Sequence, residues 1–221
     1  MKHEFWHQKW QANQIGFHLP EPNPLLLEYF SALNLKPHVV NQTVTRIFLP
    51  LCGKTLDIAW LLAQGYYVAG AELSTIAIDD LFSSLNLIPS VTRLGNITRY
   101  SAPNIDLYAG DIFDLTPAML GPVDAVYDRA ALVALPEDMR KQYTTHLLAL
   151  TKNAPQLLVC FVYDQNAHAG PPFSITDDEV RQHYQANYAL TLLGINEVIG
   201  GLKGMCPATE HVWLLKPYAH N

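Results

Sequence analysis

Charge is scarce in this chain, and what there is leans acidic. Of 221 residues, 15% are charged, and 14 lysines and arginines stand against 20 aspartates and glutamates, a net charge of −6. That balance argues against non-specific binding to nucleic acid or to an anionic membrane, both of which recruit cationic patches. Cysteine is also sparse. Cys52, Cys160 and Cys206 lack the paired spacing of a zinc site or a disulfide framework, and read as reduced thiols in a cytoplasmic protein. Apolar runs such as residues 157–163 are far too short to span a bilayer. The opening Met-Lys-His-Glu-Phe-Trp has no signal-peptide core. The sequons Asn41-Gln-Thr43 and Asn96-Ile-Thr98 are then chance matches. Repeats, low-complexity tracts and linkers are missing too, so one domain over 1–221 is expected, with 1–22 as an N-terminal lid segment.

Glycine is missing where a phosphate would need it. The stretch Ile47-Phe-Leu-Pro-Leu-Cys-Gly-Lys-Thr-Leu-Asp57, followed by Val68-Ala-Gly-Ala-Glu-Leu73, reads as strand, tight turn, helix, strand. Gly53-Lys54-Thr55 invites a phosphate-loop reading, but that loop has a second glycine where this chain has Phe48. A dinucleotide fingerprint needs three spaced glycines, and here Leu49, Pro50, Leu51 and Cys52 precede a single one. Gly53 still lets backbone approach a ligand closely. Glu72 falls about twenty residues on, where doubly wound folds place the acid that binds ribose hydroxyls. A cofactor with adenosine but no phosphate fits, and S-adenosylmethionine is the common one.

Along the rest of the chain, 3–13 reads as a short amphipathic helix, ended by Gly16 and the run Pro20-Glu-Pro-Asn-Pro24. A second helix over 23–33 has Asn23 as cap and Pro24 at its first position. Strands are expected at 46–51, 66–73, 98–101, 105–109, 123–127, 156–163, 190–199 and 211–216. Helices are expected at 55–64, 74–85, 137–150 and 176–186, the last opened by a capping box from Thr176 to Glu179. Strands alternating with helices imply an α/β, doubly wound, mostly parallel sheet. Ligands of such sheets bind outside the carboxyl ends of the strands, which puts 51–53, Glu72, Asp111 and Asp128-Arg129 around one cleft.

His3-Glu-Phe-Trp-His7 matches the zinc-protease helix motif, but it sits at a terminus that frays, and the proline run breaks any extension toward a third ligand. No metal is assigned. Trp6 and Trp10 are one helical turn apart, which ordinarily marks a buried stripe.

Taken together, Trp6-His-Gln-Lys-Trp10, Ile15-Gly-Phe-His18, Leu49-Pro-Leu-Cys-Gly-Lys54, Ala71-Glu-Leu73, Gly110-Asp-Ile-Phe-Asp114, Tyr127-Asp-Arg-Ala-Ala-Leu-Val133 and Gly170-Pro-Pro-Phe173 resemble the thiopurine S-methyltransferase family of bacterial type. The resemblance runs in family order from residue 6 to about 173 and is poor over 190–208. It implies a seven-stranded sheet of the class I S-adenosylmethionine-dependent methyltransferase type. It also implies that Trp10, Leu51, Glu72 and Arg129 bind S-adenosylmethionine and that Phe17 lies near the acceptor. Physically, Glu72 would accept both ribose hydroxyls, the Leu51 carbonyl would face the methionyl part, and Trp10 would offer its face to the sulfonium. Asp111 and Ile112 would border the adenine. Arg129 would pair with the cofactor carboxylate or an anionic acceptor. Phe173 reads either as an acceptor wall or as a packing anchor, and Asp128 either as the residue that orients Arg129 or as a loop acid in solvent. Lys203 is a loose candidate for the family's second basic residue near the acceptor.

The implied reaction is methyl transfer to the sulfur of a small aromatic or heterocyclic thiol by a monomer, with no general base assigned. Alternatives are a methyltransferase for halide, thiocyanate or selenium and tellurium species, a nicotinamide oxidoreductase on a similar fold, or a non-catalytic adenosine-binding module.

Overall fold

The computed structural model describes residues 3–37 and 44–219. The sequon at Asn41 lies outside the described residues. The chain divides into two compact units, Met1–Ala125 and Val126–Asn221.

The first unit opens with α1 (His3–Gln11) and α2 (Pro24–Tyr29), which runs on into a 3₁₀ turn, Phe30–Leu33. The Asn23 side chain accepts from Leu25 N at 2.8 Å, as its position before Pro24 predicts, and Asn34 in the left-handed region ends the 3₁₀ turn. Then follow β1 (Arg46–Leu49), α3 (Asp57–Ala63), β2 (Tyr67–Glu72) and α4 (Thr75–Ser84). The rest of the unit is β3 (Ser90–Leu94), β4 (Ile97–Ala102), β5 (Ile105–Ala109) and α5 (Pro117–Leu120). The strands order as β3-β4-β5-β2-β1. β1–β2 and β2–β5 are parallel, whereas β3–β4 and β4–β5 are antiparallel. Every residue of β5 is buried, as expected of a strand covered on both faces.

The second unit takes all but the first residue of β6 (Ala125–Arg129), then α6 (Glu137–Thr151), β7 (Gln156–Tyr163), α7 (Asp177–Tyr184), β8 (Tyr188–Glu197) and β9 (Ala208–Pro217). Here the order is β6-β7-β9-β8, with β6–β7 parallel and the other two pairs antiparallel.

The α/β expectation holds, but the strands number nine among the described residues and are mixed, in place of seven mostly parallel ones. β3 has no counterpart in the sequence reading. Four of its five residues are exposed, so it lacks the alternation that marks a half-buried strand. β1 stops at Leu49, two residues early, because Leu51 takes a positive φ of 46°. β6 starts later than expected and carries Asp128 and Arg129 as its last two residues. Half of the Thr176 capping box forms: its hydroxyl accepts from Glu179 N at 3.2 Å, but the Glu179 carboxylate is turned toward Arg140. No described helix is long and apolar enough to cross a membrane.

Candidate active site

In the first unit, the turn after β1 is built around one carboxylate. Glu72 closes β2 and is only 6% exposed. Its Oε2 accepts from Gly53 N at 2.7 Å and its Oε1 from Ser74 N at 2.8 Å, so it clamps the turns that follow both strands. Cys52 N donates to Ala71 O at 2.9 Å, which adds a backbone tie beside the clamp. Burial pushes the Glu72 carboxyl up from its ordinary value, against the pull of the Ser74, Gly53 and Leu73 amides. A carboxylate has about four acceptor sites, so beside these three amides Glu72 keeps capacity for at least one further donor.

The strand beneath is shaped for this turn. A Cβ on Gly70 would lie 2.7 Å from Leu107 Cδ2 and 2.8 Å from Cys52 Sγ, so only glycine lets the Cys52 side chain rest on β2. Burial, and then the Glu72 charge, raises the Cys52 thiol well above its ordinary range, which keeps it neutral. Lys54 pairs with Asp80 at 2.8 Å, a use of that lysine quite unlike the phosphate-loop one.

An aromatic cluster covers the turn. Gly53 has a φ of +55°, and a Cβ there would meet Trp10 Cζ2 at 3.1 Å. The open side of Gly53, expected as an approach for a ligand, is therefore the seat of the Trp10 indole. Trp10 is buried and meets Phe17 edge-on at 5.6 Å between ring centroids; Trp6 also meets Phe17 edge-on, at 5.8 Å. Lys54 Nζ lies 5.9 Å from the Trp10 ring.

The end of β5 joins this group. Gly110 N donates to Glu72 O at 3.0 Å. Asp111 Oδ1 caps the turn Ile112–Asp114 by accepting from Phe113 N at 3.0 Å, and its Oδ2 holds His3 Nε2 at 2.9 Å. His3, the first residue of the zinc-protease match, is thus an anchor for α1. Among the described residues no group of three or more potential ligands could hold a metal ion. The first unit brings Trp10, Phe17, Gly53, Glu72 and Asp111 together, with Leu51 on the same turn and Ile112 buried at its edge.

In the second unit, β6 ends in two charged residues that point to opposite faces. Asp128 is fully buried; Oδ2 accepts from the Tyr143 hydroxyl at 2.7 Å and Oδ1 from Leu132 N at 3.2 Å. The reading of Asp128 as a loop acid in solvent is therefore wrong. Burial pushes its carboxyl up to about 6, against the Tyr143 hydroxyl and the Leu132 and Ala131 amides.

Arg129 pairs in register with Val159, and two residues along β7 Phe161 pairs with Glu210, which puts Arg129 and Glu210 on one face. Burial raises the Glu210 carboxyl and the Arg129 charge holds it down. Sequence reading missed Glu210, which lies one residue before the strand expected at 211–216 and between two other polar residues, Thr209 and His211.

Phe173 is fixed by its own backbone, whose N–H donates to Val133 O at 2.7 Å, and by Arg140, whose guanidinium lies 5.8 Å from the ring. Lys203 donates to Pro171 O at 2.7 Å and so holds the loop that carries Phe173.

The family model for thiopurine S-methyltransferase matches residues 1–216. A thiopurine S-methyltransferase of Xanthobacter autotrophicus is 56% identical over 217 residues, 98% of this chain and 99% of that protein. One from Gluconobacter oxydans is 48% identical, covering 96% and 94%. Among solved structures, a Burkholderia thailandensis 1,6-didemethyltoxoflavin-N1-methyltransferase with bound S-adenosylhomocysteine aligns with a TM-score of 0.66 at 14% identity, covering 98% of this chain and 87% of that one. At that identity the likeness speaks for the fold alone. A match to a methyltransferase family displaces the oxidoreductase alternative. With its motifs in order from Trp6 to Phe173 and the match running almost end to end, the chain belongs to the thiopurine S-methyltransferase family.

Proposed function

We propose that this protein transfers the methyl group of S-adenosylmethionine to the sulfur of aromatic or heterocyclic thiols, thiopurines among them. The observation that carries the reading is the Glu72 clamp: a buried acid at the end of β2, bonded to a single-glycine turn and covered by Trp10. The turn lacks the glycines that would wrap a phosphate, and Glu72 retains acceptor capacity for a ribose hydroxyl. S-adenosylmethionine, when bound, supplies a methyl group activated by a sulfonium charge.

The residues of the chain divide the remaining work. Glu72 accepts from the ribose hydroxyls, and Asp111 and Ile112 border the adenine. The Leu51 carbonyl faces the methionyl part, and Arg129 takes its carboxylate in fork geometry. Trp10 presents an aromatic face to the cationic centre, and Phe17 and Phe173 offer apolar surface to a flat acceptor. A thiolate and a sulfonium lose charge as they react, so excluding water with aromatic side chains favours the transition state over the separated ions. The acceptor sulfur gains one bond to carbon while the donor sulfur gives one up. An acidic thiol arrives as thiolate, and no side chain is assigned as base.

The test is transfer of labelled methyl from S-adenosylmethionine to 6-mercaptopurine, with Glu72→Ala as control. Labelled thioether that disappears in the control supports the reading. Turnover of the thiol that is indifferent to Glu72→Ala would remove Glu72 from the site. No turnover would refute the acceptor class.

A further inference from the structure

The carboxylate beneath Arg129 has no part in the scheme above, yet it is among the most deliberately held groups in the second unit. Asp128 is fully buried, and three donors converge on it: the Tyr143 hydroxyl at 2.7 Å, Leu132 N at 3.2 Å and the amide of Ala131. Both amides belong to the turn that follows Arg129. That turn is sharp, since Ala130 takes a φ of 64°, a conformation that opposes an L side chain. It leads into the 3₁₀ turn Leu132–Ala134, whose Val133 carbonyl accepts from Phe173 N at 2.7 Å. Tyr143 lies in the first half of α6 and is itself fully buried. One carboxylate therefore joins the end of β6, which carries Arg129, to the turn that follows it and to α6.

We propose that Asp128 is a positioning residue: its buried carboxylate, held by Tyr143, gathers the amides of Ala131 and Leu132 and thereby fixes the backbone from which Arg129 reaches its ligand. The inference rests on the reading in which Arg129 binds the cofactor carboxylate. As a carboxylate, Asp128 only accepts, which suits three converging donors. Once protonated, one oxygen carries a proton and meets a donor with a donor, so the turn is held less firmly.

A pH readout is available because the groups packed on Asp128 are silent between pH 5 and 8, while the Glu72 and Glu210 carboxyls, also raised by burial, are the same in wild type and in the Asp128 and Tyr143 variants. Tyr143 of α6, Cys160 of β7 and Tyr184 of α7 face Asp128, and each is raised well above its ordinary value by burial first and by the Asp128 charge next. Asp128, pushed up to about 6, is the group in this set that titrates in that window.

The experiment is calorimetric titration of the full chain with S-adenosylhomocysteine from pH 5 to 8, for wild type, Asp128→Asn, Tyr143→Phe, Arg129→Ala and the Asp128→Asn/Arg129→Ala double variant. Wild-type affinity is expected to fall below about pH 6. Asp128→Asn is expected to bind about threefold to tenfold more weakly at pH 8, the loss of roughly one hydrogen bond, and to lose the part of the acid limb that Asp128 sets. Tyr143→Phe removes a donor that favours the carboxylate, so its acid limb should move to higher pH. Acting through Arg129 means that the double variant binds no worse than Arg129→Ala alone.

An acid limb that persists unchanged in Asp128→Asn, or losses that multiply in the double variant, would overturn the inference while leaving the cofactor reading intact. Should Asp128→Asn fail to fold, an unmoved acid limb in Tyr143→Phe overturns it equally. Wild type that binds no S-adenosylhomocysteine at any pH would sink the cofactor reading, and the inference with it.

Discussion

Replacing Gly53 by alanine probes the seat of Trp10 directly. Two penalties add. Holding an L residue at a φ of +55° costs about 1–2 kcal/mol. The new Cβ would stand 3.1 Å from Trp10 Cζ2 and 3.4 Å from its Cη2, so the indole must shift by a few tenths of an ångström and loosen its edge-on contact with Phe17. Such an aromatic pair contributes about 0.5–1.5 kcal/mol, of which a shifted ring forfeits part. The smaller entropy of an unfolded alanine chain offsets roughly 0.5 kcal/mol. The expected net loss is about 1–2.5 kcal/mol, or a fall in melting temperature of roughly 2–10 °C for a protein of this size.

Urea unfolding measures the loss. Gly16→Ala is the internal control, since nothing lies within 4 Å of a Cβ there and its backbone is not left-handed; it should stay within about 0.5 kcal/mol of wild type. In a Trp10→Leu background the contact share disappears, and Gly53→Ala should then cost only about 1 kcal/mol, from the backbone. A Gly53→Ala penalty identical in both backgrounds would refute the seating of Trp10 on Gly53.

Asp128 makes a thermodynamic prediction with a definite sign. Its carboxyl is raised in the folded state from 3.8 to about 6, so between those values the folded chain holds more protons than the unfolded one, and stability falls as pH rises through that window. Asp128→Asn should therefore gain stability relative to wild type from pH 4 to pH 7 in parallel urea titrations; a constant difference would contradict the buried charge. Glu210→Gln should leave Arg129 without its facing carboxylate and raise kcat/KM for 2-mercaptobenzoate relative to thiophenol by about twofold to fivefold, the scale of a partly exposed charge pair. Equal change for both thiols would deny Glu210 any part in charge selection. Arg140→Ala removes two bonds to Glu179 and one to Leu135 O from a buried guanidinium, and should destabilise by about 3 kcal/mol in the same urea assay. Glu179 should then lose its depressed pKa: burial opposes ionisation there, but hydrogen bonds from His183 and Arg140 hold the group down. A carboxyl resonance of Glu179 that titrates unchanged would contradict this.

Gly53, Glu72 and the end of β6 were legible in the sequence because their chemistry is local: one turn, one strand end, one charged pair. What makes them work was not. The demand for glycine at position 70 comes from Leu107 and Cys52, residues distant in the chain that meet only once β2 lies beside β5. The burial of Asp128 depends on Tyr143, one helix later, and an Asp-Arg pair looks the same whether its acid faces water or protein. Glu210 and Arg129 share a face only through the register of β7 with its two neighbours. β3 stayed hidden for a different reason: its pairing with β4 is made by backbone, and its mostly exposed side chains carry no apolar rhythm. The expected strand count followed the resemblance and not the residues, and nine strands is the correction.

Leu51 is held at a φ of 46°, in the region that glycine occupies freely and leucine does not. A randomised library at this position separates two kinds of selection. Screened for folding or expression alone, it should drift toward glycine, which relieves about 1 kcal/mol of backbone strain. Screened for methyl transfer, it should return leucine if the side chain or the rigidity of that turn serves the reaction. The difference between the two enriched populations would measure how much persistence in an unfavoured conformation is maintained by use and how much by inheritance.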